Sequence, residues 1–119
     1  MITILPAAPA EKEALFQPEA DDVLVMRDGG QALGWVAVQA GRADLRLLAL
    51  TVCPEEEAER RFCADSLLRA AASYAANQGA YRLCCRLSQW EAFLQSEGFQ
   101  REGEEYVLPT SSIVKICKD

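Results

Sequence analysis

Apolar residues follow two periodicities along this chain, and the change from one to the other marks its elements. Leu45, Leu47, Leu48, Leu50 and Val52 make a nearly continuous apolar run, the pattern of a strand buried on both faces. Pro54 ends that run, because it cannot donate to a ladder and presets the backbone for a first helical turn. From Glu55 helix formers take over, with Ala64, Leu67, Leu68, Ala71 and Ala75 at helical spacing. Gly79 then supplies a left-handed stop. A strand feeding a helix start is a common anion site, since unpaired amides and the helix dipole point the same way.

The remaining elements follow from the same patterns. Residues 23–26, Asp28-Gly29-Gly30 and residues 32–38 make the clearest hairpin, the turn supplying the positive backbone angles a tight hairpin demands. Gly34, inside the second strand, marks a bulge or a close approach. Gly41 turns the chain into the strand at residues 44–52, which predicts three successive antiparallel strands. Upstream, residues 1–5 alternate weakly as an edge strand, and residues 9–16 form a short helix ended by Pro18. Downstream, residues 81–87 read as a short buried strand. Ser88-Gln89-Trp90-Glu91 fits a capping box in which Ser88 and Glu91 satisfy each other's amides. Trp90, Phe93 and Leu94 form an apolar stripe on a helix that stops at Gly98. Residues 106–108 and 113–117 are the last expected strands, parted by Pro109 and a Thr-Ser-Ser turn. The order predicts one α+β domain over residues 1–119.

Composition narrows the chemistry. Half the residues are hydrophobic, enough for a core without metal or disulfide support. Twelve basic against eighteen acidic residues give −6, which argues against nucleic acid or an anionic membrane as partner. No apolar segment is long enough to span a bilayer. The first ten residues lack a basic n-region and are broken by Pro6 and Pro9, so no secretory signal is expected and the expected location is cytoplasmic. The five cysteines then read as reduced core thiols, and Cys84 and Cys85, pointing to opposite faces, are poorly placed to bridge each other. The absence of histidine removes Ser-His and Cys-His nucleophile pairs and His-containing zinc sites, and no metal centre is expected.

Taken in order, these segments resemble the GNAT-type N-acetyltransferase family. Val23-Leu24-Val25, Asp28-Gly29-Gly30 and Leu33-Gly34-Trp35-Val36 are similar to its second and third strands. Leu50-Thr51-Val52-Cys53-Pro54 is similar to the end of its fourth strand. Ser66 to Ala71, Tyr74-Ala75 and Gly79-Ala80 look like its central helix and the turn after it, and Gly98-Phe99 like the close of its last helix. The resemblance implies a mixed, mostly antiparallel, splayed sheet flanked by helices, with acetyl-CoA held beside the fourth strand. It further implies that amides at Leu50, Thr51 and Val52 pair with the pantetheine arm. A loop falling on Glu59, Arg60, Arg61, Phe62, Cys63 and Ala64 would then wrap the pyrophosphate. The acceptor would be a small-molecule or peptide amine, and the assembly a monomer or a homodimer.

Several positions depart from that pattern. Glu59 stands where the family has Gln or Arg, Phe62 where it has its first glycine, and only Ala64 agrees. Two extra residues separate Pro54 from the loop, and Glu55, Glu56, Glu57 and Glu59 crowd the expected phosphate position. Acidic residues at a helix start complement the dipole, each contributing ~0.3–1 kcal/mol, but they repel phosphates. Without a glycine the helix is expected to begin soon after Pro54 and consume the cradle; Arg60 and Arg61 are the side chains that can still clamp phosphate oxygens. The family's general-acid tyrosine falls on Leu94, and a helix-start asparagine on Leu87 or Ser88, so no catalytic residue is assigned. Asp44 and Arg46 lie too far upstream to serve as a base, and Tyr74 and Tyr81 read as packing residues. Two readings stand: acetyl transfer to an amine, and a catalytically inactive GNAT-fold binding or regulatory module. A third, assembly through the apolar strand at 113–117, rests on its need for cover at a sheet edge.

Overall fold

The computed structural model describes residues 1–11 and 20–112. Its strands are β1 (Ile2–Pro6), β2 (Asp22–Asp28), β3 (Gln31–Ala40), β4 (Asp44–Val52), β5 (Arg82–Cys85), β6 (Gln100–Glu102) and β7 (Glu105–Pro109). Helix α1 (Glu57–Asn77) links β4 to β5, and α2 (Glu91–Ser96) follows β5 after a 3-10 turn at Ser88–Trp90. The seven strands form one sheet in the order β1-β2-β3-β4-β5-β7-β6, with β4–β5 its parallel pair and every other pair antiparallel. This is the α+β class that the periodicities predict, with the mixed, mostly antiparallel sheet that the family resemblance implies.

Helix α1 packs across β2, β3, β4 and β5. It buries Cys63, Ala64, Leu67, Leu68, Ala71, Ala72 and Ala75, the row expected from the spacing of its apolar residues. Against them lie Met26, Val36, Val38, Leu45 and Leu47. Removing a leucine such as Leu67 from water stabilises the fold by about 1.5–3 kcal/mol, so this one helix–sheet layer dominates the energetics. A smaller cluster of Ala20, Val23, Val25 and Ala37, with Trp35 packed against it, fills the opposite face.

Local chemistry sets the connections. Gly29 and Gly30, with φ of 63° and 103°, form the two-residue turn between β2 and β3. Gly79 (φ 80°) ends α1 and Gly98 (φ 106°) follows α2, both as expected. Around Gly34 both of its expected roles are met: the β2–β3 register shifts at Leu33, and the bare backbone lies against Thr51.

The structure corrects other expectations. The Ser88–Glu91 capping box does not form: the residues up to Trp90 make a 3-10 turn, and α2 starts at Glu91 with no side-chain cap. Strand β6 was not expected, and it pairs with β7 around Gly103. The strand expected at 113–117 lies outside the described residues, as does most of the helix expected at 9–16, of which residues 9–11 are helical. Tyr81 is 75 % exposed and packs no core. Among the described residues, no helix is long and apolar enough to cross a membrane.

Candidate functional site

The end of β4 is the structural singularity of the sheet. On one side, β4 stays paired with β3 as far as Val52. On the other, its parallel ladder with β5 covers only Asp44 to Leu47, matched to Arg82 to Cys85. Beyond Leu47 the two strands part, because β5 gives way to the 3-10 turn that leads into α2. The wedge so opened contains a cleft of about 330 Å3 lined by Leu50, Thr51, Val52, Arg60, Gln89 and Trp90. The expected strand-end residues and Arg60 are therefore brought together.

Trp90 is the residue sequence reasoning missed. Its indole N–H donates to the Leu50 carbonyl at 3.0 Å, joining the two sides of the wedge. Its ring meets Phe93 edge-on, with centroids 5.6 Å apart. The Arg60 guanidinium sits 5.8 Å from the Trp90 ring centroid and donates to the Pro54 carbonyl at 3.0 Å and the Val52 carbonyl at 3.4 Å. Arg60 and Trp90 also line a second cavity of about 160 Å3, with Glu57, Arg61, Ala92 and Phe93. They are thus a shared wall between the strand-end cleft and the start of α1. The signal available in the sequence was the indole itself, a donor that seeks an acceptor when half-buried.

The residues of the expected phosphate loop separate. Residues 59–64 belong to the first two turns of α1, which begins at Glu57 after an extended Glu56. Arg61 turns toward α2, lying 5.5 Å from the Phe93 ring centroid and donating to Ser96 Oγ at 2.9 Å and Glu97 at 3.4 Å. Phe62 is exposed, and its neighbours Cys63 and Ala64 face the core. No side chain caps the helix, and the carboxylates of Glu55, Glu56, Glu57 and Glu59 have no ion pair among the described residues.

Several titratable groups sit away from the cleft or are turned to other tasks. Asp44 faces Arg82 at 3.5 Å, and Arg46 holds Glu105 at 3.0 Å, both at the far end of β4. Leu94 is fully buried. The Tyr74 hydroxyl donates to Asp22 at 2.8 Å, and burial together with that carboxylate pushes it up to about 12. Burial pushes the Cys84 thiol up to about 11 and raises Cys63 and Cys85 as well, so these three are thiols at neutral pH.

No family model matches the chain, and no curated protein matches it in sequence. Solved structures match it closely in shape. The ribosomal-protein-S18-alanine N-acetyltransferase from Escherichia coli superposes with a TM-score of 0.74 at 15% identity, all of both chains being covered. A GNAT family acetyltransferase from Elizabethkingia anophelis with acetyl-CoA bound gives 0.68 at 12%, over 91% of this chain and 97% of that one. One from Brucella melitensis in complex with acetyl-CoA gives 0.65 at 16%, over 92% and 88%. Identities this low speak for architecture alone, and on that ground the chain has the fold of the GNAT-type N-acetyltransferases.

Proposed function

We infer that this protein uses the GNAT fold as a binding or regulatory module and does not transfer acetyl groups from coenzyme A. The observation that carries the reading is the hydrogen bond from Trp90 to the Leu50 carbonyl. A protein side chain thereby takes one backbone acceptor, the Leu50 carbonyl, of the strand end along which a pantetheine arm would have to lie. Two further features support it. Arg60 is spent on the Val52 and Pro54 carbonyls, and the opening of α1 offers uncapped, glutamate-lined backbone with no glycine to approach a diphosphate. Calorimetric titration with acetyl-CoA tests the reading. No heat of binding is expected at millimolar ligand. Micromolar binding, weakened by Arg60→Ala or Arg61→Ala, would overturn it.

A second reading, acetyl transfer from acetyl-CoA to a small-molecule or peptide amine, is favoured by the cleft beside Leu50, Thr51 and Val52. In that reading the cofactor would meet Leu50, Thr51, Val52 and the backbone of Arg60, Arg61, Phe62, Cys63 and Ala64, with the Arg60 and Arg61 side chains on the cleft side of α1. With no general base assigned, catalysis in that reading rests on proximity to an amine already deprotonated in solution.

A further inference from the structure

Two residues on from Arg60, roughly 200° around the helix, α1 presents a different surface. A groove of about 230 Å3 runs between the start of α1 and the edge of the sheet, floored by Ile2, Leu33, Phe62 and Cys63. Phe62 is 54% exposed and Ile2 45%, two of the few exposed large apolar side chains among the described residues. Asp28 and Glu59 line the same groove. Asp28 is matched by the Met1 ammonium at 3.1 Å, but Glu59 and its neighbours Glu55, Glu56 and Glu57 have no ion pair among the described residues. The two cations on this turn, Arg60 and Arg61, point into the wedge and toward α2.

We propose that this groove docks a basic peptide segment of another protein, one apolar side chain seated against Phe62 and Ile2 and flanking Lys or Arg residues facing the glutamates. Charge selects this occupant. A second copy of the chain carries the same −6 and the same acidic rim, so self-docking would set like charge against like. An apolar floor edged by Asp28 and by Glu59, which has no ion pair among the described residues, is complementary to an apolar anchor flanked by cations. The proposal does not rest on the cofactor reading, because the acetyl-CoA titration can go either way without altering the groove.

The test is fluorescence anisotropy with a labelled short peptide in which lysines flank a Leu-Phe pair. Two comparison peptides replace the lysines by glutamates or the Leu-Phe pair by Gly-Ser. Only the first is expected to bind, more weakly as salt is added. Phe62→Ser and, independently, Glu59→Lys are each expected to weaken it roughly tenfold, while Arg101→Gln on β6 leaves it unchanged. Both altered positions are exposed, so the thermal transition of each variant serves as the fold check. Absence of binding, equal binding of the glutamate peptide, or indifference to Phe62→Ser would overturn the proposal. So would a sedimenting dimer abolished by Phe62→Ser, which would make a second copy the occupant.

Discussion

Trp90 shows how much one donor can decide. An indole N–H has no acceptor function and, half-buried, needs a carbonyl; β4 offers one at Leu50 because its neighbour β5 has already turned away. Replacing Trp90 by phenylalanine keeps an aromatic ring against Phe93 and Arg60 but leaves that carbonyl without its donor. The expected cost is about 0.5–1.5 kcal/mol, read as a lower urea midpoint with an unchanged slope; an unaltered midpoint would mean that water replaces the indole at no cost. Periodicity placed Trp90 on the apolar stripe of a helix, together with Phe93 and Leu94. The other two are buried as that reading required. Trp90 differs because its surroundings depend on where the β4–β5 ladder stops, a non-local register that no window of sequence contains.

At the scale of elements, legibility followed apolar contrast. Helix α1 and strands β2 to β4 were readable because burial on the α1 face imposes spacing on Leu67, Leu68 and Ala71 and on Val36, Val38, Leu45 and Leu47. Strand β6 was not, because Gln100, Arg101 and Glu102 are all exposed and the strand exists only through its pairing with β7 around Gly103. The glycine in β3 was legible in kind, and the structure gives it a cause. A Cβ at Gly34 would lie 2.5 Å from the Thr51 carbonyl oxygen and 3.2 Å from Leu67, so β3, β4 and α1 close on that point together. Gly34→Ala is therefore expected to force strand and helix apart, at about 1–3 kcal/mol. Thermal unfolding followed by circular dichroism checks this. A melting temperature equal to the wild type would show that the β3 bulge at Leu33 absorbs the methyl group.

Across the whole molecule, a surplus of carboxylates makes pH the natural lever, and two of them pull in opposite directions. Burial, then the hydrogen bond with Asp65, raises the Glu97 carboxyl despite Arg61 and Arg69 nearby. A carboxyl with a raised folded pKa supports folding fully below its unfolded value of ~4.3 and loses that support as pH rises through the folded value. For Glu105 desolvation also pushes upward, but the hydrogen bonds and charges of Arg46 and Arg86 outweigh it and hold the carboxyl low. Its support is complete above ~4.3 and is lost as pH falls through the lowered value. Stability should thus decline on both sides of the ordinary glutamate range. Two variants separate the arms. Glu97→Gln keeps a hydrogen-bonding side chain beside Asp65 without the charge, so at pH 7 it should melt a few degrees above wild type. That gain should vanish below pH ~4, where Glu97 is already protonated in both states. Glu105→Gln should melt below wild type at pH 7, because Arg46 and Arg86 lose their shared carboxylate, and the deficit should shrink in acid. Scanning fluorimetry of the three proteins from acid to neutral pH reads both differences. A Glu97→Gln protein less stable than wild type at pH 7 would mean that its ion pair with Arg61, not the strain of burying it beside Asp65, governs that corner of the fold.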